Sequence, residues 1–119
     1  MNTPTARVAN LVVDCNDLDA IPQFWSRLLA LAETARDDRW VDLEPLRGHG
    51  PVLSFQRVPD AKAVKNRLHL DLQVHDIAEA VRRAGLLGAS PAGPLHDGPG
   101  KPWQAWRDPE GNEFCLVTA

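Results

Sequence analysis

Residues 69–77 read HLDLQVHDI, and 59 positions earlier residues 10–18 read NLVVDCNDL. Superimposed, the two stretches place Leu11 on Leu70 and Asp17 on Asp76. Each is a short strand-like run ending in an aspartate, whose carboxylate is suited to cap a following helix by accepting from free backbone N–H groups of its first turn. The pairing predicts two copies of one strand-then-helix unit.

The residues C-terminal to each copy agree. After Asp17 come Phe24, Trp25, Leu28 and Leu29, spaced to share one stripe of a helix of about three turns. After Asp76 come Ile77, Ala80, Val81 and Ala84 with Arg82 and Arg83 between them, a second amphipathic helix that stops around Gly85 to Gly88. Beyond the helices, Trp40 to Leu43 and Trp103 to Trp106 each predict a short strand leading through a turn into another apolar run, Val52 to Val58 and Glu113 to Val117 respectively. The second turn, Asp108-Pro109-Glu110-Gly111-Asn112, offers proline to preset one backbone angle and glycine to accept a positive one, a strong hairpin signal. Prolines and glycines gather at Arg47 to Pro51 and Pro91 to Pro102, marking connections. Each half therefore reads as strand, helix, then two or three strands. Such a unit is too small to bury its own sheet face, so pairing with its copy is expected, within one chain or between chains.

Composition bounds the rest. At 119 residues the chain suits one domain, able to bury roughly 65% of its unfolded surface without metal or disulfide staples. Its net charge of −3, scattered along the sequence, excludes a nucleic-acid footprint and disfavours binding to acidic membranes. No apolar run approaches the roughly 18 to 20 residues of a membrane span, and Met1 to Val8 lacks a signal peptide's apolar centre. Two cysteines, Cys15 and Cys115, are too few for a disulfide framework and are not spaced like zinc ligands, which suits a reducing compartment. A cytoplasmic location is the expectation.

Strand alternation assigns faces. In the second copy Leu68, Leu70, Leu72 and Val74 form the apolar face, leaving Arg67, His69, Asp71 and Gln73 on the other. In the first, Ala9, Leu11 and Val13 pack on the helix, and Asn10, Val12 and Asp14 face away.

The strings NRLHLDLQVHD (Asn66 to Asp76) and WQAWRDPEGNEFCLV (Trp103 to Val117), with Gln23-Phe24-Trp25 and Leu28-Leu29 before them, resemble the glyoxalase/bleomycin-resistance/dioxygenase group, the vicinal oxygen chelate superfamily, and particularly its short glyoxalase-like members. The resemblance covers nearly the whole chain. It implies an α+β fold of two βαβββ modules, about residues 6–60 and 65–119 of one domain spanning 1–119. Curved mixed sheets would form a cleft between the modules, commonly in a homodimer. In catalytically complete relatives four side chains from the first and last strands, typically His and Glu, converge there on a divalent metal. Carried over, those positions are Asn10, Gln56, His69 and Cys115.

Of these, only His69 and a deprotonated Cys115 are good transition-metal donors, since two neutral amides contribute little and the carboxylates that hold hard ions are missing. No firmly bound cofactor is expected; a divalent metal, if present, would use His69 with Glu113 or Cys115. Glu113 shares the face of Cys115 but sits one strand step, roughly 6.5 to 7 Å, away, which favours a rim charge over a ligand. His69 is the candidate acid or base, against a hydrogen-bonded structural histidine. Cys115 is expected to be an inert thiol unless a cation lowers its pKa. Trp40 and Trp103 are the candidate aromatic walls, whereas Trp25 belongs to the core stripe. The expectation is a protein that binds a small, partly apolar molecule through Asn10, Trp40, Gln56, His69, Trp103 and Cys115. Two alternatives stand beside it: a metal-dependent lyase, isomerase or dioxygenase, and a drug-sequestering protein like the bleomycin-resistance members.

Overall fold

The computed structural model describes residues 3–97 and 101–118, so Gly98 to Gly100 of the Pro91 to Pro102 connection lie outside the described residues. The chain divides into two compact units, Met1–Pro59 and Asp60–Ala119. The first runs β1 (Asn10–Cys15), α1 (Ala20–Leu29), β2 (Glu33–Arg36), β3 (Trp40–Pro45) and β4 (Val52–Arg57). The second repeats the order with β5 (Leu70–Val74), α2 (Ile77–Leu86), β6 (Ser90–Pro91), β7 (Trp103–Arg107) and β8 (Glu113–Thr118). Each unit is one mixed four-stranded sheet, ordered β1-β4-β3-β2 and β5-β8-β7-β6. The first strand of each lies parallel to the last, and the remaining neighbours are antiparallel. The fold is α+β, as the family resemblance implies, and the strand-then-helix order repeats as the duplicated pattern predicts.

Alternation decides which side is covered. In the first unit Val41, Leu43, Leu53 and Phe55 are buried with Ile21, Phe24 and Trp25 of α1, which lies against β3 and β4. Phe24 and Trp25 meet edge to face with ring centroids 5.4 Å apart, a favoured aromatic geometry. In the second unit Phe114, Leu116, Trp106 and Ala84 are buried, and α2 lies against β8. The Trp106 indole N–H donates to Gln104 Oε1 at 2.9 Å, and Gln104 Nε2 donates to the Gly93 carbonyl at 2.9 Å, so both of these buried side chains have polar partners.

The two aspartates work differently. Asp76 is the N-cap of α2 and accepts from Glu79 N at 3.2 Å. Asp17 lies two residues ahead of the α1 N-cap, Asp19, and accepts from Asp19 N and Ala20 N at 2.9 and 2.8 Å. Those two backbone bonds, Ala20's first, hold the Asp17 carboxyl below its ordinary value. The turn into β8 has the geometry its sequence signature predicts. Buried Asp108 accepts from Glu110 N and Asn112 N, both at 2.9 Å, and Gly111 takes φ +94°.

Leu68 is a correction to the alternation. It is 74% exposed, because β5 begins at Leu70 and the residues before it are not in the ladder. Pleating assigns faces only while the strand lasts.

Candidate functional site

The second unit carries the best-formed cluster of reactive side chains among the described residues. In the parallel β5–β8 ladder Asp71 stands opposite Cys115, on the sheet face turned away from Leu70, Leu72, Phe114 and Leu116. His69 sits immediately before β5, with Nε2 3.3 Å from Asp71 Oδ1. One ligand atom from each of His69, Asp71 and Cys115 lies within 4.8 Å of the others. His69 and Asp71 are exposed and Cys115 is half-buried.

Burial pushes the Cys115 thiol above its ordinary pKa. The Asp71 charge and a hydrogen bond with Asp71 push the same way, against a smaller opposing effect from Lys65. A thiol so placed stays protonated near neutral pH, which makes it a poor nucleophile unless a cation displaces the proton.

Beside this triad Trp103 is 40% exposed and stacks on His96, centroids 4.1 Å apart and planes 14° from parallel. The same two residues exchange backbone hydrogen bonds of 2.9 Å, which fixes the stack at the mouth of the connection into β7. His69, Asp71, Lys101, Trp103, Cys115 and Val117 are among the residues around one open hollow of about 340 Å³.

Glu113 shares the Cys115 face but is otherwise engaged. Its carboxylate accepts from Asn66 N at 2.9 Å and pairs with Lys65 at 2.9 Å and Lys62 at 3.3 Å. Lys62 also donates to the Val64 carbonyl. Despite the cost of burial, the Asn66 N–H and then the two lysines lower the Glu113 pKa to about 2. These contacts tie the segment before β5, which delivers His69, to the start of β8.

The equivalent face of the first unit is occupied by its own hydrogen bonds. Asn10 Nδ2 donates to Ser54 Oγ at 2.9 Å, Ser54 Oγ donates to Asp42 Oδ1 at 2.6 Å, and Trp40 Nε1 donates to the same oxygen at 2.7 Å. Ser54 is fully buried inside this chain of contacts. Gln56 is exposed and stands opposite both Trp40 and Asp14 in the ladders.

Of the six residues singled out from sequence, His69, Trp103 and Cys115 thus line one hollow in the second unit, while Asn10, Trp40 and Gln56 share one face of the first. Trp40 and Trp103 are not equivalent in register. Trp40 faces Gln56, whereas Cys115, 59 positions after Gln56, faces Ala105, and Trp103 faces Val117 one same-face step beyond. Sequence reasoning put Asp71 on the correct face but passed over it as a donor. The signal was present as His-x-Asp alternation, and cross-strand register completes it. Lys101, Asp42 and Ser54 were missed; only Asp42, two residues after Trp40 on the same face, had a sequence signal.

The sequence model of one family, described as a glyoxalase-like domain, matches residues 10–117. Among curated protein sequences nothing matches significantly. A glyoxalase-related enzyme from Fulvimarina pelagi superposes with a TM-score of 0.75 at 19% identity, over 95% of this chain and 88% of that one. The fosfomycin resistance protein FosX from Listeria monocytogenes, as a glutamate-to-glutamine mutant complexed with Mn(II) and 1S,2S-dihydroxypropylphosphonic acid, superposes with a TM-score of 0.77 at 13% identity, over 97% and 90%. TioX from a Micromonospora species gives 0.67 at 20%, over 95% and 98%.

Proposed function

The chain belongs to the glyoxalase-like domain family of the vicinal oxygen chelate superfamily, and from that premise we propose that it binds a small, partly apolar molecule in the hollow of its second module, without a firmly bound catalytic metal. The observation that carries this reading is the meeting of an exposed indole, an imidazole, a carboxylate and an ammonium around a single concave surface. Trp103, held by its stack on His96, offers a flat apolar wall. His69 offers an imidazole whose Nε2 stands 3.3 Å from Asp71 Oδ1, and whose other ring nitrogen is available to a ligand as a hydrogen-bonding group. Lys101 favours a ligand with an acidic group.

Metal chemistry of the kind suited to Mn(II), as carried by the Listeria relative, is not part of the proposal. Hard divalent ions are held by several oxygen donors. Among the described residues around this hollow Asp71 is the sole carboxylate, Glu113 is engaged by two lysines and a backbone N–H, and the Cys115 thiol is pushed toward its protonated form. Three donors within 4.8 Å do favour a second reading, a metal-dependent member of the superfamily, and the donor chemistry then restricts which ion it uses. Sequestration without turnover, the third reading, differs from the first only in whether His69 moves a proton.

A fragment screen followed by tryptophan fluorescence tests the leading reading. A true ligand changes the emission of Trp103 and loses at least tenfold in affinity in Trp103→Ala; a ligand whose binding is unaffected by that change would refute the assignment of the hollow. Turnover of the ligand that disappears in His69→Ala would separate catalysis from sequestration. The reading includes a homodimer, checked by sedimentation, and a cytoplasmic setting, with which a content of two cysteines accords. No helix among the described residues is long and apolar enough to cross a membrane.

A further inference from the structure

From Trp40, Asp42 and Ser54 we infer that the first module carries a binding site of its own, for a primary ammonium group on a small apolar body, with the Asp42 carboxylate as its counter-ion. The inference does not depend on what fills the hollow of the second module.

Ladder register assembles the site. Cα partners across a sheet carry their side chains on the same face, so Val12, Ser54, Asp42 and Ala35 form one row, and Asp14, Gln56 and Trp40 the next. Neither row contains a lysine, arginine or histidine, and the two charged residues, Asp14 and Asp42, are both acidic. The rows are open to solvent: Val12 is 45% exposed, Ala35 and Gln56 are exposed, and Trp40 and Asp42 are half-buried. Ala35 brings only a methyl group beside Asp42, while Val12 and Trp40 supply apolar surface around it.

Asp42 is mounted through one oxygen. Its Oδ1 accepts from Ser54 Oγ at 2.6 Å and from Trp40 Nε1 at 2.7 Å. Asn10 Nδ2 donates to Ser54 Oγ at 2.9 Å, which commits the hydroxyl proton of Ser54 to Asp42. Ser54 is fully buried, so the carboxylate is held by a partner that cannot turn away to water. Among the described residues no hydrogen bond or ion pair is made to Asp42 Oδ2. A ligand that takes this second oxygen breaks none of the existing contacts.

The single open oxygen selects the ligand. A guanidinium fork needs both oxygens of a carboxylate in parallel, and Oδ1 already has two donors. A hard divalent ion needs several oxygen ligands. A compact ammonium makes a charge-assisted bond to one oxygen and completes its shell from neighbours. Here Gln56, opposite Trp40, has an amide carbonyl to accept, and the indole attracts a cation placed over its face within about 6 Å of the ring centroid. Anionic ligands are disfavoured by the same charges, the reverse of the preference that Lys101 gives the second module.

The full chain at neutral pH is titrated with phenethylammonium, followed through the tryptophan indole N–H resonances, with that of Trp40 assigned by its loss in Trp40→Phe. The expected result is a saturable shift of the Trp40 resonance with one amine per chain. Phenethyl alcohol, of the same shape without the charge, binds at least tenfold more weakly, and phenylacetate leaves the Trp40 resonance in place. Asp42→Asn weakens the amine at least tenfold. The ligand series uses the native chain, so it decides the matter even if Asp42→Asn fails to fold. Equal binding of amine and alcohol, or an affinity unchanged in Asp42→Asn, overturns the inference. Loss of amine binding in Trp103→Ala would place the amine in the second module's hollow and overturn it too; retention there shows that the two sites stand or fall separately.

Discussion

Glu113→Gln removes the charge that ties the connection before β5 to the start of β8, and its cost can be worked from the contacts. A carboxyl lowered from 4.5 to about 2 corresponds, at about 1.4 kcal/mol per pH unit, to about 3 kcal/mol favouring the ionised form in the folded state. That figure is a ceiling. The Lys65 side chain is 70% exposed, so solvent screens its part of the attraction, and about 1 to 2 kcal/mol is the expected loss at neutral pH. Glutamine keeps a carbonyl oxygen for the Asn66 N–H, so the change isolates charge from connectivity. The folded pKa is depressed below its unfolded value, so the contribution is complete above about pH 5 and disappears as pH falls from about 4.5 through about 2. Urea denaturation of both proteins at several pH values is the assay: the two midpoints should differ at pH 7 and converge toward pH 2. A difference independent of pH would refute the assignment of the loss to this carboxylate. No measurable difference at pH 7 would refute the tie itself.

Other changes probe single links. Ala30 ends α1 in the left-handed region at φ 54°, so Ala30→Gly should stabilise by about 0.5 to 1 kcal/mol, read as a rise in denaturation midpoint. Asp76→Ala removes the α2 cap bond to Glu79 N and should cost about 1 kcal/mol by the same measurement. Leu116→Ala empties a fully buried position behind the Cys115 strand and should cost about 2 to 5 kcal/mol, read by thermal unfolding. Ser54→Ala leaves Asp42 and Asn10 without their shared partner and should cost about 1 to 3 kcal/mol, with Trp40 emission changed through its contact to Asp42.

How far the fold was legible depended on whether an element declares itself through side chains. The strands at Asn10 and Leu70 and both helices do, because one apolar face repeats at the right period and an aspartate precedes each helix. β2 does not. Glu33 to Arg36 carry no large apolar residue and are exposed throughout, and the strand exists through backbone pairing with β3. The two-residue β6 offers even less pattern. The site was legible to the same depth. Alternation identified the face bearing His69, Asp71 and Cys115, but register is set by turn geometry and loop length, which spacing does not reveal. Hence Asp71 was passed over as a neighbour of Cys115, and Trp40 and Trp103 were matched by residue type although they occupy different rungs.

The two copies show how one scaffold can hold opposite kinds of polar face. In the first, Asn10, Ser54, Asp42 and Trp40 hydrogen-bond to one another, so a ligand seeking those atoms has to break contacts already made, at about 1 kcal/mol or more each. In the second, His69 and Asp71 remain exposed, and the sulfur opposite them is half-buried and protonated. Among the described residues, the contacts these groups would give up on binding are those of Asp71 with His69 and Cys115. The structural demand has moved to Glu113, whose salt bridges secure the approach to His69 without occupying the hollow. If that division is correct, substitutions at Asn10 or Ser54 should register mainly as stability changes. Substitutions at His69, Asp71 or Trp103 should register mainly as binding changes, since exposed groups contribute little to the fold. A binding loss at Asn10 as large as that at His69, in a protein of unchanged stability, would show that the first module's face is part of the working surface.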